Sequence, residues 1–125
     1  IAMDFDSLAA AGSMLGSAGV IVMSEQDCIV RVSKRIQEFF HHESCGKCTP
    51  CREGLGWVVQ LLCRIEAGEG REGDIEELER LGDNIFGNTF CPLGDGAIMA
   101  LRGAIKHFRA EFSDHIHHGR CGFRS

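Results

Sequence analysis

Three cysteines fall within seven residues, Cys45-Gly46-Lys47-Cys48-Thr49-Pro50-Cys51, and this crowding restricts the fold more than any other feature of the chain. A C-x-x-C-x-x-C run wraps one short turn of backbone around a single inorganic centre, with three thiolates supplied by the same loop. Gly46 permits the tight curve, and Thr49-Pro50 reads as the N-cap and first position of a helix that begins beside that centre. Open amide donors at a helix start, with Lys47 and Arg52 nearby, favour negative charge next to the sulfurs. The spacing predicts one 4Fe-4S cluster, a group built for taking up charge, and it requires a fourth ligand from elsewhere in the chain.

Four cysteines remain for that role: Cys28, Cys63, Cys91 and Cys121. Cys91 is selected because Thr89-Phe90-Cys91-Pro92-Leu93-Gly94 forms a loop between two predicted helices, where a thiolate can point inward and Pro92 stiffens the turn. Cys28 and Cys63 fall within predicted helices, the usual setting of a small buried thiol, and Cys121 lies on the C-terminal tail. The predicted ligand set is therefore Cys45, Cys48, Cys51 and Cys91, with no catalytic residue assigned. Zinc is the rival metal. Structural zinc sites usually present two separated Cys or His knuckles, whereas here three cysteines crowd one turn and the partner knuckle is missing. His41 and His42 end a helix and read as solvent-facing or as capping its last carbonyls. His115, His117 and His118 read as a solvated helix end. No Ser-His-Asp order and no carboxylate pair in an apolar surround is present.

Hydrophobic periodicity supplies the scaffold. Ser24-Glu25-Gln26-Asp27 resembles a capping box, and Cys28, Ile29, Val32, Ile36, Phe39 and Phe40 follow on one helical face to about His41. A second helix from Thr49-Pro50 carries Leu55, Val58, Val59, Leu62 and Ile65, and ends in the 68–73 stretch. Asp74 caps a third, with Ile75, Leu78, Leu81, Ile85 and Phe86 as its stripe and Glu76, Glu77 and Glu79 left for solvent. The fourth carries Ile98, Leu101, Ile105, Phe108, Phe112 and Ile116. Each stripe can be buried only against the others, so the fold class is mainly α: a small four-helix bundle over residues 24–118 carrying the cluster. Ahead of it, residues 11–19 read as a small-residue loop and 20–23 as a short β-strand, which makes 1–23 the tail of an upstream β-containing module. Residues 119–125 form a C-terminal tail. The opening at Ile1 suggests a piece of a longer polypeptide.

Charge narrows the possible functions. A net charge of -5, from 13 basic against 18 acidic residues, argues against a nucleic-acid surface. No apolar run reaches the roughly 18–20 residues of a membrane span, so no direct membrane crossing is expected. An odd count of seven cysteines, three of them clustered, favours metal ligation in a reducing compartment over a secreted disulfide framework.

The stretch Glu43-Ser44-Cys45-Gly46-Lys47-Cys48-Thr49-Pro50-Cys51-Arg52-Glu53-Gly54, with Thr89-Phe90-Cys91-Pro92-Leu93-Gly94-Asp95-Gly96, resembles the C-terminal 4Fe-4S region of the NADH-binding flavoprotein subunit of respiratory complex I, NADH:quinone oxidoreductase. Residues 13–23 and His107-Phe108-Arg109 are similar to it too, although Ala18 stands where that family suggests a glycine. The resemblance implies a helical bundle with the fourth ligand at Cys91. It also implies FMN and NADH bound by an upstream portion of the parent protein, and electron transfer from FMN through this cluster to a neighbouring subunit. The implied partners are the small 2Fe-2S subunit and the large iron-sulfur subunit of the peripheral arm. Their implied place is the cytoplasmic side of a bacterial inner membrane, or the mitochondrial matrix side. Two alternatives stand beside this reading. One is the diaphorase subunit of an NAD-linked hydrogenase or formate dehydrogenase, disfavoured by the lack of a further cysteine-rich extension before Ser125. The other is a redox-silent, zinc-stapled interaction domain.

Overall fold

The structure, a computed structural model, describes residues 1–122; the last three positions of the predicted tail, 123–125, lie outside the described residues. Its helices are α1 (Phe5–Ala10), α2 (Ile29–Glu43), α3 (Leu55–Glu66), α4 (Asp74–Ile85) and α5 (Leu93–His118), with a π-helical turn at Pro50–Gly54 leading directly into α3. Helices α2 to α5 make the expected bundle: α2 packs on α3 and α5, and α4 closes the other side against the same two. One core runs through it, with Val30, Leu55, Val58, Leu62, Ile65, Leu78, Ile98 and Phe112 fully shielded from solvent. No described helix is long and apolar enough to cross a membrane.

The predicted strand at 20–23 does not form, and the described residues contain no sheet. A β-branched run becomes a strand only by pairing its backbone, and nothing in the described chain lies alongside to pair with it. The segment before it holds the short α1, which buries no residue and is capped by Asp4, whose carboxylate accepts the Ser7 N–H at 2.7 Å. Ala18 has a φ of +62°, in the left-handed region. That conformation costs a Cβ-bearing residue about 1–2 kcal/mol, and it accounts physically for the expectation of a glycine there.

Helix α2 begins four residues later than the first capping signal suggests, its N-cap falling at Cys28 and not at Ser24. Asp27 accepts both the Ser24 N–H (2.6 Å) and its hydroxyl (3.0 Å), so this polar group closes a turn of its own, and Cys28 becomes the N-cap. The buried face of α2 is also rotated from the predicted stripe: Ile29, Val30, Ser33 and Gln37 face the core, and Gln37 Nε2 donates to the Ala97 carbonyl of α5 at 2.8 Å. Val32, Ile36 and Phe39 instead line an apolar surface groove with Ile21 and Ala100, while Phe40, half-buried, borders the groove and keeps its expected packing against the core. Phe86 and Phe108 likewise leave their stripes. Phe86 stacks under the Arg102 guanidinium at 4.6 Å, and Phe108 has non-helical dihedrals (φ −129°, ψ 27°) that kink α5 before Phe112 returns to the core.

Two ionic groups fasten the helices where α3 ends beside the starts of α2 and α4. Asp74, buried at the first turn of α4, accepts the Arg71 N–H at 2.9 Å and pairs with the Arg64 guanidinium. Glu66, ending α3, pairs with Lys34 at 2.9 Å and Arg31 at 3.2 Å on α2. The Lys34 hydrogen bond, assisted by Arg31, holds the Glu66 carboxyl below its ordinary value of 4.5 and raises the Lys34 ammonium. A depressed carboxyl stabilises the fold above its unfolded pKa, and that contribution is lost as pH falls through the lower folded value. Glu66→Gln is expected to cost about 0.5–1 kcal/mol at neutral pH. Paired thermal melts should show the gap between variant and parent closing below about pH 4.5. A gap that stays constant on acidification would mean the pair contributes nothing through its charge.

Candidate metal centre

The loop from Ser44 to Thr49 leaves α2 and enters the π turn, and its first bend depends on Gly46, whose φ of +78° suits a residue without a Cβ. The Ser44 hydroxyl organises the bend: it accepts the Gly46 N–H at 3.3 Å and lies 3.1 Å from Cys51 Sγ. Arg52 folds back over the same loop, donating from Nη1 to the Gly46 carbonyl at 2.8 Å and from its main-chain N–H to the Cys48 carbonyl at 2.9 Å. The predicted N-cap is only partly realised. Pro50 occupies the first position, yet the Thr49 side chain makes no capping bond, and the Arg52 amide is not among the open donors. The first turn is π-helical where an ordinary α turn was expected, a rare geometry that appears as single wide turns and often at functional sites.

Cys51 is 5% exposed, Cys48 half-buried, and Cys45 and Cys91 exposed. The run thus rises from the core to the surface. Cys91 follows α4 in a loop whose Thr89 hydroxyl donates to the Cys91 carbonyl at 3.0 Å. Two contacts bring this loop to the cysteine run. Lys47 Nζ lies 5.8 Å from the centre of the Phe90 ring, and Ile85 packs between Gly54 and Gly94. A Cβ at Gly54 would meet Ile85 Cδ1 at 2.8 Å, and one at Gly94 would meet Ile85 Cγ2 at 3.3 Å, so both helix starts close on one side chain. Among the described residues no three of these four cysteines gather their sulfurs within 4.8 Å. Sulfurs around a single tetrahedral zinc ion lie about 3.8 Å apart, so the loops are spread wider than one ion requires. The donor set suits a larger thiolate-bound centre: four thiols, no disulfide, two cations (Lys47 and Arg52) and a helix start.

A model of the NADH-ubiquinone oxidoreductase-F iron-sulfur binding region matches residues 31–115, which include all four cysteines. The chain belongs to that family. Over 123 residues it is 68% identical to the second of the F subunits of NADH-quinone oxidoreductase in Rhizobium meliloti, covering 98% of this chain and 29% of that protein. It is 48% identical to the F subunit of the same enzyme in Streptomyces coelicolor and 46% identical to the one in Mycobacterium tuberculosis, again over 98% of this chain and 27% and 28% of theirs. The chain therefore spans less than a third of the length of the curated relatives it matches. Family membership agrees with a helical iron-sulfur domain of an oxidoreductase component.

The sequence missed a second constellation at the opposite end of the bundle. His115, expected in solvent, is 4% exposed, and its Nε2 lies 3.0 Å from Cys28 Sγ. Cys121 completes the group, all three ligand atoms lying within 4.8 Å of one another. Burial lowers the His115 pKa, against the Ile65 carbonyl and neighbouring carboxylates that raise it. His117 and His118 are exposed as expected, His118 pairing with Asp114 at 2.8 Å.

Proposed function

We propose that this chain relays electrons through one 4Fe-4S cluster bound by Cys45, Cys48, Cys51 and Cys91 within the NADH-oxidising flavoprotein subunit of an NADH:quinone oxidoreductase. The observation that carries this reading is the family match, since the matched iron-sulfur binding region contains the C-x-x-C-x-x-C run and the Cys91 loop together. A bound cluster would supply one-electron acceptance and donation at thiolate-ligated iron. The chain's own part is to hold the four thiolates and to offset negative charge. Cys51 anchors the site in the core under the Ser44 hydroxyl, while Lys47, Arg52 and the start of α3 favour the added charge of the reduced state.

Cys45, Cys91 and Phe90, the last 82% exposed, lie at the surface. An open rim of this kind suits electron entry on one side and exit to a docked neighbour on the other. In this reading FMN and NADH belong to the upstream part of the parent protein. Electrons leave for the iron-sulfur chain of the large subunit, and the small 2Fe-2S subunit completes the peripheral-arm partners. Residues 24–118 form the cluster domain and 1–23 lead in from the flavin-bearing portion. The location that follows is the cytoplasmic face of a bacterial inner membrane.

The full-length subunit, purified anaerobically and reduced with NADH and then with dithionite, tests the proposal. A broad visible band beyond the flavin's own absorption that bleaches on reduction, with an iron-sulfur paramagnetic signal in the reduced state distinct from a flavin radical, is the expected result. Protein that shows flavin absorption alone and carries zinc on the four cysteines would replace the relay with a structural staple.

A further inference from the structure

The three ligand-type side chains at the far end of the bundle come from distant parts of the chain. Cys28 is the N-cap of α2, His115 lies in the last turn of α5, and Cys121 follows the turn that ends it. Helix α2 has 15 residues and so measures about 22 Å, which separates this group from the cysteine loop at the helix's other end. The turn that returns Cys121 is fixed by a contact between two backbones. Gly119 ends α5 with a φ of +66°, and it approaches Gly68 so closely that a Cβ on Gly68 would fall 2.3 Å from the Gly119 carbonyl oxygen. Farther along, Gly122 lies against the Asp114 carboxylate.

We propose that Cys28, His115 and Cys121 form a second metal site, which takes a zinc(II)-class divalent cation and fastens the C-terminal segment to the start of α2. Two thiolates and one imidazole are the donors a borderline-soft ion prefers. A tetrahedral zinc site sets its sulfurs about 3.8 Å apart and sulfur from nitrogen about 3.6 Å apart. The observed separations, 3.0 Å for Cys28 Sγ to His115 Nε2 and within 4.8 Å for the rest, need only small side-chain rotations to meet those values. Binding releases one proton from each thiol, so the two thiolates of this half-buried group balance the ion's charge. The imidazole ligates uncharged, the form that burial favours. The site does not depend on the cluster and contains none of its ligands.

Metal analysis and zinc-edge X-ray absorption of the full-length subunit, purified without added metal, test the proposal. The expected result is one more zinc per chain in the parent than in the Cys28→Ser/Cys121→Ser double variant. Its shell should hold two sulfurs at about 2.3 Å and lighter atoms at about 2.0–2.1 Å. Cys121→Ser alone, which leaves the start of α2 and the α5 histidine unaltered, should remove that zinc with iron content unchanged. Cys91→Ser, which addresses the cluster, should leave the zinc in place. Equal zinc in parent and double variant would mark adventitious metal and overturn the proposal. So would a four-sulfur shell, or a Cys28–Cys121 disulfide found by peptide mapping.

Discussion

Cys91→Ser is expected to lose the iron-sulfur absorption and most of the bound iron of the full-length subunit, while Cys63→Ser keeps both. The difference follows from position. Cys91 lies in the loop that reaches the cysteine run through Phe90 and Lys47, whereas Cys63 is within α3, away from that loop, in the usual role of a half-buried packing thiol. Disturbing groups that merely support metal ligands already costs about 10–100-fold in affinity, so removing a ligand should lower cluster retention by at least that much. Loss of the centre also unties the π turn from the α4–α5 loop, and the melting temperature should fall with the iron. Iron content equal to the parent's in the Cys91 variant would transfer the fourth ligand elsewhere.

Phe112→Ala is expected to be the most damaging core substitution away from the cysteines. Phe112 is the largest fully buried side chain, and it restores contact between α5 and the core one turn after the kink at Phe108. Truncating a buried phenylalanine costs about 3–5 kcal/mol, which for a chain of this length lowers the melting temperature by roughly 10–20 °C. Phe108→Ala, at a ring 41% exposed, should cost about 1 kcal/mol or less. Near-equal losses for the two would show that the kink does not divide a buried segment from an open one.

The bundle and the cysteine loops were legible because both are written locally. Stripes at three- and four-residue spacing specify helices, and three cysteines in one turn specify a shared centre. Helix α2 was misread because it carries two competing faces. The more apolar one, with Val32, Ile36 and Phe39, faces outward, and the buried one contains Ser33 and Gln37, whose value lies in a bond to Ala97 sixty residues away. The His115 group was invisible for a similar reason. It joins positions 87 residues apart, and a histidine next to two others at a helix end looks solvated until the returning tail covers it. The strand failed because β-branched composition states a preference and cannot supply a neighbour to pair with.

The widened turn at Pro50–Gly54 has a consequence for how the centre is aimed. Each residue of an α-helix advances the chain by about 100° around its axis, so one residue gained or lost in that turn swings everything upstream by a quarter-circle or more. The extra residue acts as a phase setting: it lets Leu55, Val58 and Leu62 keep their grip on the bundle while Cys45 and Cys48 face wherever the turn dials them. A shortened turn would leave every sulfur in the chain and point two of them at the wrong compass bearing.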